Sequence, residues 1–226
     1  PLDSALLRAA YLKASSNSDS LQTGIEIANA LAELDCDSVT LSAALLYPSF
    51  INDPLFDLSN DEHFPKKLNA LLQDVKKLNS IDTLSTQVKS SHLQAENLKK
   101  MLLAIIDDIR VILIKLAERL VVLESVRTES EEKRQHVSEQ IMTLYAPLAS
   151  RLGIGQLKWQ LEDLSFRLID PVQYKIIPKS LKKRRVEREA YIVIVCQTIK
   201  DLLAKSNLAE FNVTGRPKHI YSIHRK

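Results

Sequence analysis

The sequence predicts an all-α protein whose last part adds one short strand. Of its 226 residues only 4 are glycine and 5% are aromatic, whereas leucine, isoleucine, alanine, lysine and glutamate are abundant. Apolar residues recur at helical spacing along most of the chain, which is 45% hydrophobic and long enough to bury a full core. We therefore expect a bundle of amphipathic helices.

The N-terminal part divides into four predicted helices separated by polar segments. Their spans are 2–14, 25–34, 37–46 and 64–78. The polar turn 15–20 separates the first two helices, and the loop 48–63 is rich in Pro, Asn and Asp. Pro48 is expected to stop the third helix, because proline has no amide hydrogen to donate within a helix.

The remaining helices are longer, and two of them are apolar on most faces. The predicted spans are 94–106, 108–126, 129–149, 157–168, a helix opened by Asp170-Pro171, and 181–204. The most apolar two, 94–106 and 108–126, are expected at the centre of the bundle. Gly153-Ile-Gly155 breaks the helical pattern, and residues 207–213 form the first convincing strand.

Cysteine content and hydropathy indicate a cytoplasmic protein with no membrane partner. Cys36 and Cys196 are too few for a disulfide framework, which is typical of a reducing compartment. Charged residues interrupt even the most apolar stretch, 101–123, and no signal peptide is expected.

The net charge of +3 conceals an asymmetry between the two parts of the chain. Residues 175–226 carry 13 Lys and Arg against 4 Asp and Glu, a net charge of +9, so residues 1–174 carry −6. The basic part predicts contact with phosphate or another anion. An ordinary solvated helix face explains 175–188 equally well.

Charged residues on the apolar helix 108–126 are the first candidate site. Lys115, Glu118, Arg119 and Val122 share one face of the helix. Buried charges need partners and often mark a functional site. The alternative is a structural ion-pair network, in which Lys115 or Arg119 pairs with an aspartate at 107 or 108.

Other segments offer little catalytic chemistry. In the segment 43–52, residues 47–51 carry almost no metal ligands, and Asn52 with Asp53 cannot hold a cation alone. The chain has no Cys-x-x-Cys and no Gly-rich phosphate loop. No histidine lies beside a cysteine or in a Gly-x-Ser-x-Gly setting. The histidines are His63, His92, His136, His219 and His224.

The terminal segment 215–226 is basic throughout. It holds Arg216, Lys218, Arg225 and Lys226, two histidines and no acid, and a helix is expected to begin near Lys218. Cations beside a helix N-terminus suit anionic oxygens, although a disordered cationic tail has the same composition. Because a site needs more than one wall, and because the first residue is Pro1, we expect a piece of a longer protein.

Three stretches together resemble the long RelA/SpoT homologue enzymes, which make and degrade the alarmone (p)ppGpp. The stretches are Gln94-Ala-Glu-Asn-Leu-Lys-Lys-Met-Leu-Leu-Ala104 with Asp107-Asp-Ile-Arg-Val-Ile-Leu-Ile-Lys-Leu-Ala-Glu-Arg-Leu120, Tyr145-Ala-Pro-Leu-Ala-Ser-Arg-Leu-Gly-Ile-Gly-Gln-Leu-Lys-Trp-Gln-Leu-Glu-Asp163, and Gly215-Arg-Pro-Lys-His-Ile-Tyr-Ser-Ile223. The resemblance covers about residues 23–226. It implies an HD-type hydrolase-like domain at 1–150, connecting helices at 151–206, and the start of an α/β synthetase domain, its first strand and helix start, at 207–226.

The resemblance also implies that the manganese-dependent hydrolase site of the family is lost. The family pattern has His-Pro where this chain has Thr23-Gly24, and His-Asp-x-x-Glu-Asp where it has 47–52. The metal-binding Asp of Ala-Asp-Arg-Leu-His-Asn is replaced by glutamate. The positions at which the pattern is lost are Thr23, Tyr47, Pro48, Ile51, Asn52, Glu118 and Val122. We therefore expect no manganese, no hydrolysis, and an ion-pair network around Lys115.

For the terminal motif the resemblance implies ATP binding. Arg216 would stack on the adenine, and Lys218, Ser222 and Lys226 would approach the phosphates. The implied parent is a RelA-type, monofunctional GTP pyrophosphokinase of the stringent response, a transferase that moves pyrophosphate from ATP to GTP or GDP and needs magnesium. The 226 residues alone are expected to be inactive in synthesis, since the catalytic acid and the GTP-side residues would lie beyond them.

The predicted role is regulatory: a pseudo-hydrolase domain that packs on its own synthetase domain and restrains it. Partners implied for the parent include the ribosome and uncharged tRNA, reached through C-terminal domains. Two alternatives stay open. One is an allosteric module that binds ppGpp in the former hydrolase pocket or on the basic helices, where Lys182 and Arg185 lie. The other is an RNA-contacting module at 179–188.

Overall fold

A computed structural model describes residues 2–16, 18–58, 61–86, 108–181, 185–206 and 211–226. The helices in these residues are α1 Ser4–Ala14, α2 Ser18–Ala32, α3 Ser38–Asn52, α4 Lys66–Thr86, α5 Ile109–Ser125, α6 Glu131–Gln140, α7 Ala146–Arg151, α8 Gly155–Ile169, α9 Pro171–Ser180, α10 Arg185–Ala204 and α11 Ile220–His224. A 3₁₀ turn, Val126–Thr128, precedes α6, and a π-helix, Ile141–Tyr145, joins α6 to α7. The all-α prediction is confirmed.

The core is built around α3, which is buried along almost its whole length, from Ser38 to Phe50. Helices α1, α2 and α4 pack on α3, and α5 packs on α2 and α4 and also contacts α8. Gly24 lets α2 approach α3 closely, because a Cβ at this position would overlap the Leu45 carbonyl oxygen. None of the described helices is long and apolar enough to cross a bilayer.

Side-chain caps fix where five of these helices begin. Carboxylates of Asp3, Asp37, Asp108 and Asp170 accept backbone N–H groups at the starts of α1, α3, α5 and α9, and Ser130 does the same for α6. The helix start predicted at Asp170-Pro171 is confirmed, with the Asp170 carboxylate accepting from the Gln173 amide at 2.9 Å.

Pro48 does not end the third helix, so this prediction was wrong. Helix α3 continues to Asn52, and the loop begins only at Asp53. A proline inside a helix costs roughly 3 kcal/mol. Here the turn containing Pro48 also buries Tyr47 and Phe50, which are 4% and 5% exposed. Burial of two aromatic side chains outweighs the lost hydrogen bond.

Other predicted boundaries shift, two of them by seven or eight residues. Helix α2 begins at Ser18, α4 extends to Thr86, and the continuous helix predicted over 129–149 contains the π-helix. The helix predicted over 94–106 lies outside the described residues, as do 207–210 of the predicted strand. The described part of that strand, 211–213, has no strand structure, since a strand requires a paired neighbour and no described segment pairs with it.

The last three helices lie outside the main core. Helices α9 and α11 contain no buried residue, and α11 packs on α8 and α9. Gly215 is held against α10, because a Cβ there would lie 2.7 Å from Ile192 Cγ2 and 2.9 Å from Cys196 Sγ. The terminal motif is therefore packed onto the helical domain and is not a free tail.

Candidate functional site

The fold brings the three segments of the expected hydrolase site together. Thr23 lies on α2, residues 47–52 form the end of α3, and Glu118 and Val122 lie on α5. Helix α2 packs against both α3 and α5, and α3 also contacts α5. The residues that depart from the family pattern thus surround one junction of helices.

On the α2–α3 side of this junction the side chains bond to each other and to the backbone. The Thr23 hydroxyl donates to the Asp19 carbonyl at 3.1 Å, and the Asn52 amide donates to the Ser20 hydroxyl at 3.3 Å. Tyr47 is buried. Of these contacts, the Asn52–Ser20 bond joins α3 to α2, and none of the three residues has an imidazole or a carboxylate.

On the α5 side the predicted ion-pair network is present, although its partners differ from those predicted. Lys115 is 1% exposed, and its ammonium lies 2.9 Å from Glu118 Oε2 and donates to Asn79 Oδ1 at 2.8 Å. Arg119 donates to both oxygens of Glu118, at 2.9 and 2.8 Å. Asp108 instead pairs with Arg110, which lowers the pKa of Asp108, and position 107 lies outside the described residues.

Manganese, which the family resemblance implies, does not fit the residues at this junction. In the described part of the chain no three His, Cys, Asp or Glu side chains converge to hold a metal ion. Glu118 has both oxygens committed to Lys115 and Arg119, and the remaining positions offer a hydroxyl, a phenol, an amide and apolar groups. Such a set lacks the carboxylates and imidazoles that divalent transition metals require.

The terminal motif forms a second group of candidate residues, packed on α8. The Arg216 guanidinium lies over the indole of Trp159. His219 also stacks on Trp159, with ring centroids 5.5 Å apart and planes 25° apart, and its Nδ1 lies 3.4 Å from Asp163 Oδ2. Sequence reasoning assigned no role to Trp159 or Asp163.

Asp163 changes the predicted chemistry of the short helix α11. Its carboxylate accepts the backbone N–H groups of Tyr221 at 2.8 Å and Ile220 at 3.3 Å. The N-terminal amides that were expected to meet an anion are therefore already paired with a carboxylate. That part of the prediction was wrong, and anion binding by this motif has to come from side chains.

Two of the predicted phosphate ligands, Lys218 and Lys226, flank α11 along the chain, and their side chains lie close enough to interact. Lys226 lowers the pKa of Lys218, first through a hydrogen bond between the two side chains and then through repulsion between like charges. Ser222 lies between these two lysines along the chain and is partly buried. Burial raises the pKa of Glu162, while nearby Lys158 and Arg225 oppose the rise.

Two cavities in the described part of the chain have acidic residues in their walls. One of about 570 Å³ lies between α2, α5 and α8, with Glu26, Glu124 and Asp163 in its wall. The other, of about 920 Å³, lies beside α1 and includes Asp37 and Glu62. Neither charge pattern favours ppGpp. Of the two residues predicted to bind ppGpp, Lys182 lies outside the described residues, and for Arg185 only the backbone is described.

Comparison with known proteins identifies the class. An HD domain family model matches residues 4–155, more than half of the chain, and the chain therefore belongs to the HD domain family. This match covers the helices that build the junction described above.

Similar proteins connect this HD domain to alarmone metabolism. GTP pyrophosphokinases of Haemophilus influenzae and Escherichia coli K12 are 42% and 41% identical over 207 and 213 residues, covering 91% of this chain and 28% of each relative. A probable guanosine-3′,5′-bis(diphosphate) 3′-pyrophosphohydrolase of Synechocystis is 34% identical over 203 residues, covering 89% of this chain and 26% of the relative. The resemblance to RelA/SpoT homologues is confirmed. The chain spans about a quarter of the length of the curated relatives it matches.

Proposed function

We propose that this chain is a pseudo-hydrolase HD domain with a regulatory role in a cytoplasmic (p)ppGpp synthetase of the stringent response. The proposal rests mainly on the ion pairs that the Glu118 carboxylate makes. This carboxylate, the only acid at the positions where the family holds its metal and catalytic groups, is neutralised by Lys115 and Arg119. Hydrolysis by a metal-activated water needs a carboxylate and imidazoles that are available to the ion.

Metal content and hydrolysis test this proposal directly. We expect the purified chain to retain well below one equivalent of manganese after dialysis and to release no pyrophosphate from the 3′ position of ppGpp. An HD hydrolase with histidine and aspartate at the corresponding positions serves as a control, because it shows that both assays detect an intact site. One bound equivalent of manganese, or turnover above the blank, would contradict the proposal.

The regulatory part of the proposal is supported by apolar side chains that α10 exposes. Val186, Tyr191, Val193, Ile194 and Leu202 are all more than half exposed. Large exposed apolar side chains on one helix are typical of an interaction surface. We propose that the synthetase domain of the same protein covers them and is restrained by this contact.

A charge introduced into this surface tests the restraint. In a protein that joins this region to its synthetase domain, Val193→Asp is expected to raise basal (p)ppGpp synthesis, because the substitution opposes the apolar contact. Lys200→Gln, at an exposed polar position of the same helix, is the matched control and should leave the basal rate unchanged. If Val193→Asp leaves the basal rate of synthesis unchanged, the proposal that α10 makes the regulatory contact is wrong.

The terminal motif is proposed to supply the ATP side of the synthetase site. The parent reaction would transfer pyrophosphate from ATP to GTP or GDP with magnesium, and the ribosome and uncharged tRNA would act through other domains. Support comes from the chemistry of the motif: a guanidinium plane at Arg216, and the clustered ammonium groups of Lys218 and Lys226. Calorimetric titration with ATP tests it, and Lys218→Ala should weaken binding.

A further inference from the structure

We infer that Trp159 is a positioning residue for nucleotide binding, which holds the Arg216 guanidinium so that a purine base stacks on the opposite face. This inference rests on the proposed ATP-binding role of the terminal motif. It adds a residue from the HD domain to that site. It also makes α8 one wall of the site.

The contact itself has the geometry that a support requires. The Arg216 guanidinium lies over the indole ring, and Arg216 as a whole remains exposed. A guanidinium plane has two faces, so the indole covers one and leaves the other accessible to an aromatic base. Partial desolvation lowers the pKa of Arg216, which agrees with a cation resting against an apolar ring.

The indole ring is itself held in place. A Cβ added at Gly155, one helical turn before Trp159, would lie 3.1 Å from two atoms of the indole, so the ring packs along the first turn of α8. His219 stacks on the same indole and is tied to Asp163. Trp159 is therefore a fixed platform whose orientation does not depend on Arg216.

The backbone on either side of Arg216 is fixed as well. Gly215 is seated against Ile192 and Cys196 of α10, and Asp163 holds the start of α11 through the amides of Ile220 and Tyr221. A long flexible side chain loses conformational entropy when a ligand immobilises it. Contact with Trp159 restricts the Arg216 side chain, so a base that stacks on Arg216 should meet a smaller entropic cost.

This arrangement predicts which ligands depend on Trp159. A purine nucleoside triphosphate uses both the Arg216 face and the ammonium groups of Lys218 and Lys226. Inorganic tripolyphosphate carries the charge without the base. Loss of Trp159 should therefore weaken the binding of ATP and leave the binding of tripolyphosphate unchanged. Lys218→Ala should weaken the binding of both.

The experiment is a set of calorimetric titrations of the 226-residue chain with ATP and with tripolyphosphate. Trp159→Leu is expected to weaken ATP binding roughly three- to tenfold, and Trp159→Phe, which keeps an aromatic platform, to restore most of it. In an Arg216→Ala background, Trp159→Leu should have no further effect on ATP. Far-UV circular dichroism checks that each variant is folded. The chain has a single tryptophan, so ATP should also change the wild-type emission.

The outcomes test the positioning role of Trp159 separately from the ATP-binding role of the terminal motif. If Arg216→Ala weakens ATP and Trp159→Leu leaves ATP affinity unchanged, the nucleotide site stands and the positioning role is overturned. If Trp159→Leu tightens ATP binding, the indole competes with the base and the inference is also overturned. If neither the wild-type chain nor a protein that joins it to its synthetase domain binds ATP at millimolar concentration, the proposed nucleotide role falls and the inference falls with it.

Discussion

Replacing Glu118 with glutamine tests the ion-pair network of α5. The variant keeps the shape of the side chain and removes its charge. The Lys115 ammonium would then lie almost fully buried, still bonded to Asn79 but without its carboxylate. A buried cation that loses its counter-ion keeps its desolvation cost and loses the largest interaction that offsets it.

The expected magnitude follows from the burial of the pair. Breaking a buried ion pair by removing one partner costs about 3–5 kcal/mol. The Glu118 side chain is 13% exposed and Asn79 stays in place, so we expect the lower end, about 3 kcal/mol. For a chain of this size that loss lowers the unfolding midpoint by roughly 6–12 °C.

Urea and thermal unfolding measure this loss, with a control on the same helix. Glu124 pairs with Arg127 at 2.7 Å, but both side chains are 45% exposed, so Glu124→Gln should cost no more than about 1 kcal/mol. Adding Lys115→Met to Glu118→Gln removes the uncompensated ammonium and should recover part of the stability. The reasoning is refuted if Glu118→Gln costs no more than the control, or if the second substitution causes a further loss.

Two further substitutions test packing and charge elsewhere in the fold. Gly24→Ala should destabilise the protein by about 2 kcal/mol in urea unfolding, because the new Cβ overlaps the Leu45 carbonyl oxygen; wild-type stability would contradict the close α2–α3 contact. Asp108→Asn keeps a capping side chain but loses the Arg110 pair, so it should cost about 1 kcal/mol at pH 7. Because Arg110 lowers the pKa of Asp108 below 3.8, this loss should shrink as the pH falls below about 4, and a pH-independent loss would contradict it.

The order and approximate spans of the helices were predictable from local signals. Apolar spacing located α5, and Asp170-Pro171 located the first turn of α9. Pro48 shows where this reasoning fails. A local rule ends the helix, but burial of Tyr47 and Phe50 against other helices is a property of the folded chain, which spacing along the sequence does not contain.

The candidate sites show the same division between local and distant contacts. The charged face of α5 predicted an ion-pair network but placed its partners at 107 or 108, whereas Lys115 pairs with Glu118 and with Asn79, which lies 36 residues away. Asp163 caps α11 from 57 residues away. One signal for such a cap was present: the helix start at His219 lacks a capping side chain of its own, so its first amides required an acceptor from elsewhere.

Helix α8 connects the core to the terminal motif, and its burial limits which of these elements can move during regulation. Leu157 and Leu161 on α8 are fully buried in the core, while Trp159 and Asp163 on the same helix hold Arg216 and α11. A displacement of α8 would expose both leucines, at a cost of about 1.5–3 kcal/mol each. We therefore expect α8 to stay fixed and regulatory change to occur by release of α11 from Asp163. Asp163→Asn should then alter basal synthesis in the longer protein while leaving the unfolding midpoint of the core unchanged, and a matching loss of core stability would argue for a purely structural role.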